Sequence, residues 1–151
     1  MNVVRSVSIV QSSPGDLRRK RSREFSDALL QRAQYLPPED RCLIQAIYRD
    51  HLTALEVATL TGLPVRPLRR RARHLVERMV SPVFAHVMRS RDHWPAHRRR
   101  VADAVVLDGR TWRSAANFLR TSLHSIRREM EIIAALANEQ PSATAPQEHA
   151  A

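Results

Sequence analysis

Apolar residues recur at helical spacing along most of this chain. The pattern predicts one helix over residues 24–35 and a second helix after a pair of prolines. A third, short helix begins at Thr53, where Thr-Ala-Leu-Glu matches a capping box, in which Thr and Glu side chains satisfy exposed backbone amides. Gly62 suits the left-handed conformation that ends such a helix. A fourth helix is expected to start near Pro64.

The fourth predicted helix combines an apolar stripe with several arginines. The stripe consists of Val65, Leu68, Ala72, Leu75 and Met79. The arginines that this register leaves on other faces are Arg66, Arg69, Arg70 and Arg73. A short helix, a tight turn and a basic helix in this order form a helix-turn-helix pattern.

The same order of elements returns from Ser81-Pro82, with each aligned residue 58 positions later. Eight identities align: Pro37/Pro95, Arg41/Arg99, Ala46/Ala104, Asp50/Asp108, Thr53/Thr111, Ala58/Ala116, Arg69/Arg127 and Arg70/Arg128. So few identities can arise by chance, but hydrophobic type repeats as well, as at Leu68/Ile126 and Leu75/Ile133. Because the period exceeds the usual solenoid range, we expect two small domains.

The prediction is therefore an all-α chain, a tandem repeat of two small helix-turn-helix domains of about four helices each, with flexible termini. Residues 24–80 form the first unit and residues 81–138 the second, diverged unit. Residues 139–151 have no apolar period and are expected to be a disordered tail.

Residues 1–23 are expected to be a flexible basic arm. They contain the run Arg18-Arg19-Lys20-Arg21 and Arg23, and like charges in a row resist compaction. Two roles stay open for this arm, a solvated leader without contacts and a segment that tracks along DNA.

Four of the differences between the second unit and the first change the prediction. Ser114 replaces Glu56, Arg120 replaces Gly62, and Glu129 and Glu131 replace Arg71 and Arg73. The two glutamates lower the positive charge of the second basic helix. We therefore expect the second unit to bind DNA more weakly than the first, or to bind something else.

The charge of the whole chain favours a nucleic-acid partner. The net charge is +10, and of 25 basic residues only Lys20 is lysine. The guanidinium of arginine is a planar fork that suits phosphates and guanine edges. A GC-rich genome would account for the preference of arginine over lysine, but not for the net excess.

Other classes of protein are not indicated. The lone Cys42 cannot form an intramolecular disulfide and is expected to be a small buried residue, which fits a reducing compartment. No apolar run reaches transmembrane length, and the start of the chain lacks the apolar core of a signal peptide. We expect a cytoplasmic protein, associated with the nucleoid when bound to DNA, with no membrane partner.

The sequence contains no pattern typical of an active site or cofactor site. Nucleophile elbows, phosphate-cradling glycine loops and repeated cysteine spacings are all missing, so we expect neither an enzyme nor a cofactor. His93 and His97 have a spacing that suits a metal, but Pro95 lies between them and no third ligand is apparent. Trp94 and Trp112 are expected to pack in the core or at junctions, with a place near DNA as the alternative for Trp112.

Two segments carry a resemblance to a known family. Residues 36–41 read Leu-Pro-Pro-Glu-Asp-Arg, and residues 52–65 read Leu-Thr-Ala-Leu-Glu-Val-Ala-Thr-Leu-Thr-Gly-Leu-Pro-Val. Together they resemble region 4 of bacterial sigma factors of the sigma-70 family, which opens on LP-x-x-x-R and continues S-x-x-E-I-A-x-x-L-G-I-S-x-x-T-V-K. The resemblance covers residues 24–79 and returns more faintly over residues 82–137. Response-regulator and other helix-turn-helix families share much of this motif.

The resemblance implies that the second helix of the motif enters the major groove of the −35 promoter element and that the domain also touches RNA polymerase. By position, the residues that would face DNA are Arg66, Arg69, Arg70 and Arg73 in the first unit and His124, Ser125, Arg127 and Arg128 in the second. Pro64 and Pro67 stand where the family has a capping Ser and a Thr, so side chains that contact DNA in the family are missing here.

A sigma factor also needs a separate helical domain that melts promoter DNA near −10, and the residues before Glu24 are too few to supply it. We therefore expect a stand-alone tandem of region-4-like modules and not a complete sigma factor. Its expected partners are double-stranded DNA and, in addition, RNA polymerase.

Two functions stay open. In the first, the chain is a DNA-binding transcription regulator in which Arg69 and Arg127 contact phosphates while Arg70 and Arg128 read base edges. In the second, it is a protein-interaction module that binds RNA polymerase or another regulator. The arginines would then form a solvated helix face, with ion pairs to Glu77 or Glu131.

Overall fold

The computed structural model describes residues 14–139, which form eight α-helices with no β-strand among them. The helices are α1 (Pro14–Ala33), α2 (Pro38–Tyr48), α3 (Ala54–Thr61), α4 (Val65–Val80), α5 (Pro82–Ser90), α6 (Ala96–Ala102), α7 (Trp112–Leu119) and α8 (Leu123–Glu139). A 3-10 turn, Arg91–His93, follows α5, and a π-helical turn, Asp103–Leu107, continues α6. The all-α prediction is confirmed for this part of the chain. No helix within it is both long and apolar enough to cross a membrane.

The first helix begins at Pro14, so the prediction of a flexible arm is wrong for residues 14–23. Arginine, lysine and glutamate have high helix propensity, which outweighs the mutual repulsion of the charges here. Lys20 and Glu24 also form an ion pair one helical turn apart, with 3.9 Å between Nζ and Oε1. Residues 1–13 of the predicted arm and residues 140–151 of the predicted tail lie outside the described residues.

The predicted capping residues start their helices as expected. At α3, the hydroxyl of Thr53 accepts a hydrogen bond from the Glu56 amide at 3.2 Å, and the Glu56 carboxylate accepts one from the Thr53 amide at 2.7 Å. The Thr53 hydroxyl also donates to the Glu56 carboxylate at 2.8 Å, and the two hydrogen bonds that Thr53 donates to this carboxylate lower the pKa of Glu56. The hydroxyls of Ser81, Thr111 and Ser122 each accept from the amide three residues later.

Left-handed residues end the helices at corresponding places in the two halves of the chain. Gly62 (φ 71°) ends α3 and Arg120 (φ 51°) ends α7. His51 (φ 57°) and Gly109 (φ 71°) follow α2 and the π-helical turn. Each pair is 58 residues apart. The starts of α2 and α6, of α3 and α7, and of α4 and α8 have the same spacing.

The packing of the helices also corresponds between the halves. In the first half, α1 packs on α2 and α4, and α2, α3 and α4 pack on one another. In the second half, α5 packs on α8 and on the π-helical turn, and α6, α7 and α8 pack on one another. The chain crosses from one half to the other where α4 meets α5.

One apolar core runs through both halves. Met79 at the end of α4 and Phe84 in α5 are fully buried, and they belong to the same cluster as Ile44 of α2 and Ile133 of α8. A smaller cluster lies between α6, α7 and α8 and consists of Val101, Ala104, Ala115, Ala116 and Ile126. The two halves are therefore packed against each other. Cys42 was expected to be buried, but it is exposed on α2.

A partly buried arginine ties the halves together. Arg78 of α4 donates a hydrogen bond from Nη2 to the carbonyl oxygen of Leu107 at 3.0 Å, and this nitrogen lies 3.8 Å from Oδ2 of Asp40. Burial lowers the pKa of Arg78 and raises that of the neighbouring Asp108. The guanidinium also covers Gly109, where an added Cβ would lie 1.8 Å from Nη1.

We predict that Gly109→Ala destabilises the protein more than Gly62→Ala does. Both glycines have φ 71°, and an alanine there costs about 1 to 2 kcal/mol through backbone strain. An added Cβ at Gly62 meets no atom within 4 Å, whereas at Gly109 it displaces the Arg78 guanidinium from Leu107. The lost hydrogen bond to a charged group adds about 1.5 kcal/mol or more.

Chemical denaturation of both variants measures the difference in the free energy of unfolding. In an Arg78→Ala background, Gly109→Ala should cost no more than Gly62→Ala does. Equal costs for the two glycine variants in the wild-type background would contradict the role of Arg78.

Candidate nucleic-acid interface

The arginines predicted to contact DNA in the first half share one face of α4. Buried Leu68, Leu75 and Met79 fix the opposite face of this helix against the core. Residues three and four apart lie on the same side of an α-helix, so the exposed arginines form a continuous surface. Together Arg66, Arg69, Arg70 and Arg73 line one shallow depression. We call these four residues the α4 arginine face.

The α4 arginine face carries unneutralised positive charge. None of its four side chains forms an ion pair with a carboxylate in the described part of the chain. Glu77, considered above as an ion-pair partner, instead lies beside His74, with 3.4 Å between Oε2 and Nδ1. The face is therefore free to attract a polyanion.

The start of α4 adds to this positive potential. Pro64 occupies the N-cap position and supplies no side-chain hydrogen bond to the first turn. The partial positive charge of a helix N-terminus favours anions. Pro67 lies within that turn and lacks an amide hydrogen. The two prolines therefore provide no side-chain hydrogen bond to a ligand. The positive end of the helix dipole stays at the exposed start of α4.

The corresponding surface on α8 is weaker. His124, Arg127 and Arg128 are exposed and share one side of the helix, so three of the four predicted residues lie together. Ser125 is partly buried, and its Oγ lies 2.9 Å from Nε2 of His97 on α6, so its hydroxyl is already engaged. Exposed Glu131 follows Arg127 by one turn and lowers the local positive charge.

Exposed aromatic side chains lie near the start and end of α7. Trp112 is 42% exposed, so it does not pack in the core, whereas Trp94 packs against the main core as predicted. A place at a junction or near DNA stays a prediction for Trp112. Phe118 is 58% exposed, and the guanidinium of Arg110 lies over its ring at 3.9 Å from the centroid. The buried residues of α7 are the small Ala115 and Ala116, which belong to the smaller apolar cluster.

An apolar groove between α2, α3 and α4 was not predicted from the sequence. It has a volume of about 560 Å³, and its lining includes Cys42, Leu43 and two exposed residues, Leu60 and Leu63. Leu60 lies two positions before Gly62, the residue that ends α3. Its apolar character alone does not distinguish a position in a surface groove from a position in the core.

One ion pair recurs in both halves with its charges exchanged. In the first half, Arg71 of α4 contacts Asp40 of α2, with 2.6 Å between Nη2 and Oδ1. In the second half, Glu129 of α8 contacts Arg98 of α6, with 2.8 Å between Oε2 and Nε. Asp40 and Arg98 are 58 residues apart, as are Arg71 and Glu129. Each pair joins the second helix of its half to the basic helix and so fixes the orientation of that helix.

Comparison with protein-family models, curated proteins and solved structures finds no match to this chain. The family resemblance therefore rests on the motifs in residues 36–41 and 52–65.

We predict that the exchanged ion pairs can be interconverted. Glu129→Arg places two arginines side by side in a partly buried site and should destabilise the protein by about 1 to 3 kcal/mol, because Arg98 loses its partner and meets a like charge. Adding Arg98→Asp recreates the arrangement of Asp40 and Arg71 and should recover most of that loss.

A double-mutant cycle measured by urea denaturation gives the coupling energy between positions 98 and 129. Exposed Arg99→Asp, combined with Glu129→Arg, is the matched control and should recover little. If the double variant Arg98→Asp/Glu129→Arg is no more stable than Glu129→Arg alone, the two ion pairs cannot be interconverted and the prediction is wrong.

Proposed function

We propose that this protein is a DNA-binding transcription regulator that uses two sigma region-4-like helix-turn-helix units on duplex DNA. The observation that carries the proposal is the α4 arginine face, which is exposed and unpaired and follows the short helix α3 after a left-handed turn at Gly62. We propose a binding protein and not an enzyme.

Several observations support two copies of one unit. Helix starts and left-handed residues repeat at a spacing of 58 residues. Buried positions repeat as well: Leu29/Val87, Leu43/Val101, Ile44/Ala102, Val57/Ala115, Ala58/Ala116, Leu68/Ile126, Leu75/Ile133 and Met79/Ala137. The exchanged ion pairs are the strongest support, because a contact kept with reversed charges is what compensating changes at one structural position would produce.

The α4 arginine face can carry out both parts of DNA recognition. The major groove of B-DNA is about 12 Å wide and admits an α-helix. In this proposal, Arg69 contacts phosphates, which contributes salt-dependent affinity, and Arg70 reads a guanine edge by a bidentate hydrogen bond. Arg66 and Arg73 lie one turn to either side of this central pair and extend the contacts along the groove.

The second unit contributes less in this proposal. Arg127 and Arg128 take the corresponding roles on α8, with His124 beside them. Ser125 is held by His97, and Glu131 repels phosphate where the first unit has Arg73. Because the halves share one core, the two basic helices keep a fixed separation, and the DNA site should consist of two half-sites at one spacing.

The first test is a binding selection from a random duplex library at near-physiological salt. The intact chain should enrich a bipartite motif. The double variant Arg69→Ala/Arg70→Ala should lose one half of it, and Arg127→Ala/Arg128→Ala the other half. On the selected site, Arg70→Ala alone should cost about 1 to 3 kcal/mol of binding free energy.

The matched control is Arg49→Ala, which removes an exposed arginine that pairs with Asp50 outside both surfaces. It should leave the motif and the affinity unchanged. Failure of the intact chain to enrich any motif would exclude sequence-specific binding.

The apolar groove supports a second candidate function, docking of RNA polymerase or another regulator. Leu60 is 75% exposed beside this groove, although burying its side chain would be favourable by about 1.5 to 3 kcal/mol. Contacts between an apolar groove and a protein respond less to salt than phosphate contacts do. This candidate places the function on the α2–α4 groove and leaves the arginines as a solvated face.

We predict that Leu60→Glu separates the two candidates. If the protein acts through DNA, affinity for the selected duplex stays within about twofold to threefold, since one added charge outside the α4 arginine face has a small screened effect. If it acts through the groove, the variant loses binding to purified RNA polymerase, measured by biolayer interferometry. Phe118→Glu, at the matching position of the second half, is the control for an exposed apolar residue away from the groove.

A further inference from the structure

The first half of α1 extends from the folded body as a strongly basic helix. Five of the six residues from 18 to 23 are basic, and every side chain from residue 18 to residue 25 is exposed. From residue 18 onward, the first fully buried residue of α1 is Leu29. At 1.5 Å per residue, roughly 20 Å of helix therefore precede Leu29. None of the side chains from residue 18 to residue 25 belongs to the apolar core.

The charge of this extension is distributed around the whole helix. Successive residues of an α-helix are about 100° apart, so Arg18, Arg19 and Lys20 point in three different directions. Arg21 and Arg23 fill the directions between them. Lys20 pairs weakly with Glu24 at 3.9 Å, and the other four form no ion pair with any carboxylate in residues 18–139.

The distribution of positive charge around this helix favours a DNA groove as the partner over a membrane or an acidic protein surface. A helix that lies on a membrane needs an apolar face opposite its basic face, and residues 18–24 contain no apolar side chain. An acidic protein surface would meet only one side of the helix and leave the other charges unmatched. A DNA groove has phosphates along both walls, so it neutralises basic side chains on several sides of one helix.

We propose that residues 18–23 of α1 lie in a groove of duplex DNA and contact phosphates on both of its walls. This inference rests on the proposed function, because it adds a third contact to the two basic helices α4 and α8. The contact is independent of base sequence, since it depends on charge and not on hydrogen bonds to base edges. It therefore raises affinity and salt dependence without changing the motif.

The test uses the full chain and a 40-base-pair random-sequence duplex, with dissociation constants measured over a range of salt concentrations. One variant replaces Arg18, Arg19, Lys20, Arg21 and Arg23 by glutamine, which keeps helix propensity and removes the charge. The matched control replaces the four arginines by lysine, which keeps the charge. Circular dichroism verifies that both variants fold.

The glutamine variant should lower the slope of log affinity against log salt by about 3 to 4, which corresponds to three to five lost phosphate contacts. The lysine variant should keep the wild-type slope, and both variants should select the wild-type motif. A glutamine variant with the wild-type slope would overturn the inference. So would a glutamine variant that selects a changed motif, because residues 18–23 would then read bases.

Three further outcomes separate this inference from the proposed function. If only Arg69→Ala/Arg70→Ala lowers the slope, the proposed function stands and the α1 contact is wrong. If only the glutamine variant lowers it and no motif is enriched, the α1 contact stands and sequence-specific regulation is wrong. Binding to vesicles of phosphatidylcholine and phosphatidylglycerol that requires residues 18–23, with an unchanged duplex slope, would assign the helix to membranes and overturn the inference.

Discussion

The junction between α4 and α5 is the constraint on which the rest of the structure depends. Met79 lies in the last turn of α4 and Phe84 in the first turn of α5, and both are fully buried. Only Ser81, which caps α5, separates the two helices. Because these side chains belong to a core that also contains Ile44 and Ile133, neither half can move without exposing apolar surface that belongs to the other. A linker of this length without buried anchors would let two small domains reorient, whereas here their relative orientation is part of the fold.

The packing also decides where positive charge can collect. Arginines that face other helices are neutralised within the protein, as Arg71 is by Asp40 and Arg98 by Glu129. Arginines on the outer side of α4 have no such partners among the described residues, since the carboxylates of Glu39 and Asp40 pair with Arg71 and that of Glu77 lies beside His74. The net charge of +10 is therefore concentrated on particular surfaces and is not spread evenly over the molecule.

Much of the local structure could be predicted from the sequence, because capping residues, glycines and apolar spacing act over a few residues. Thr53, Gly62 and Thr111 start or end their helices as predicted, and the four arginines of α4 lie together as their spacing requires. Other features could not be predicted in this way. The helical state of residues 14–23 depends on a balance between helix propensity and charge repulsion that a charge run alone does not resolve. The exposure of Leu60 and Trp112 depends on how neighbouring helices pack, which the apolar character of these residues does not indicate. The contact of Arg78 with Leu107 joins residues of different halves, for which the sequence carries no local signal.

The exchanged ion pairs have a consequence for how such a chain folds. The two halves have matching helices and matching buried positions. During folding, the last helix of one half can therefore pack wrongly into the other half or into a second molecule. If α4 packed against α6, Arg71 would lie beside Arg98, and if α8 packed against α2, Glu129 would lie beside Asp40. Both misassembled pairings bring like charges together in a partly buried site, whereas both native pairings bring opposite charges together. The reversal of polarity therefore favours the packing of each basic helix against the second helix of its own half and disfavours the exchange of α4 and α8 between the halves.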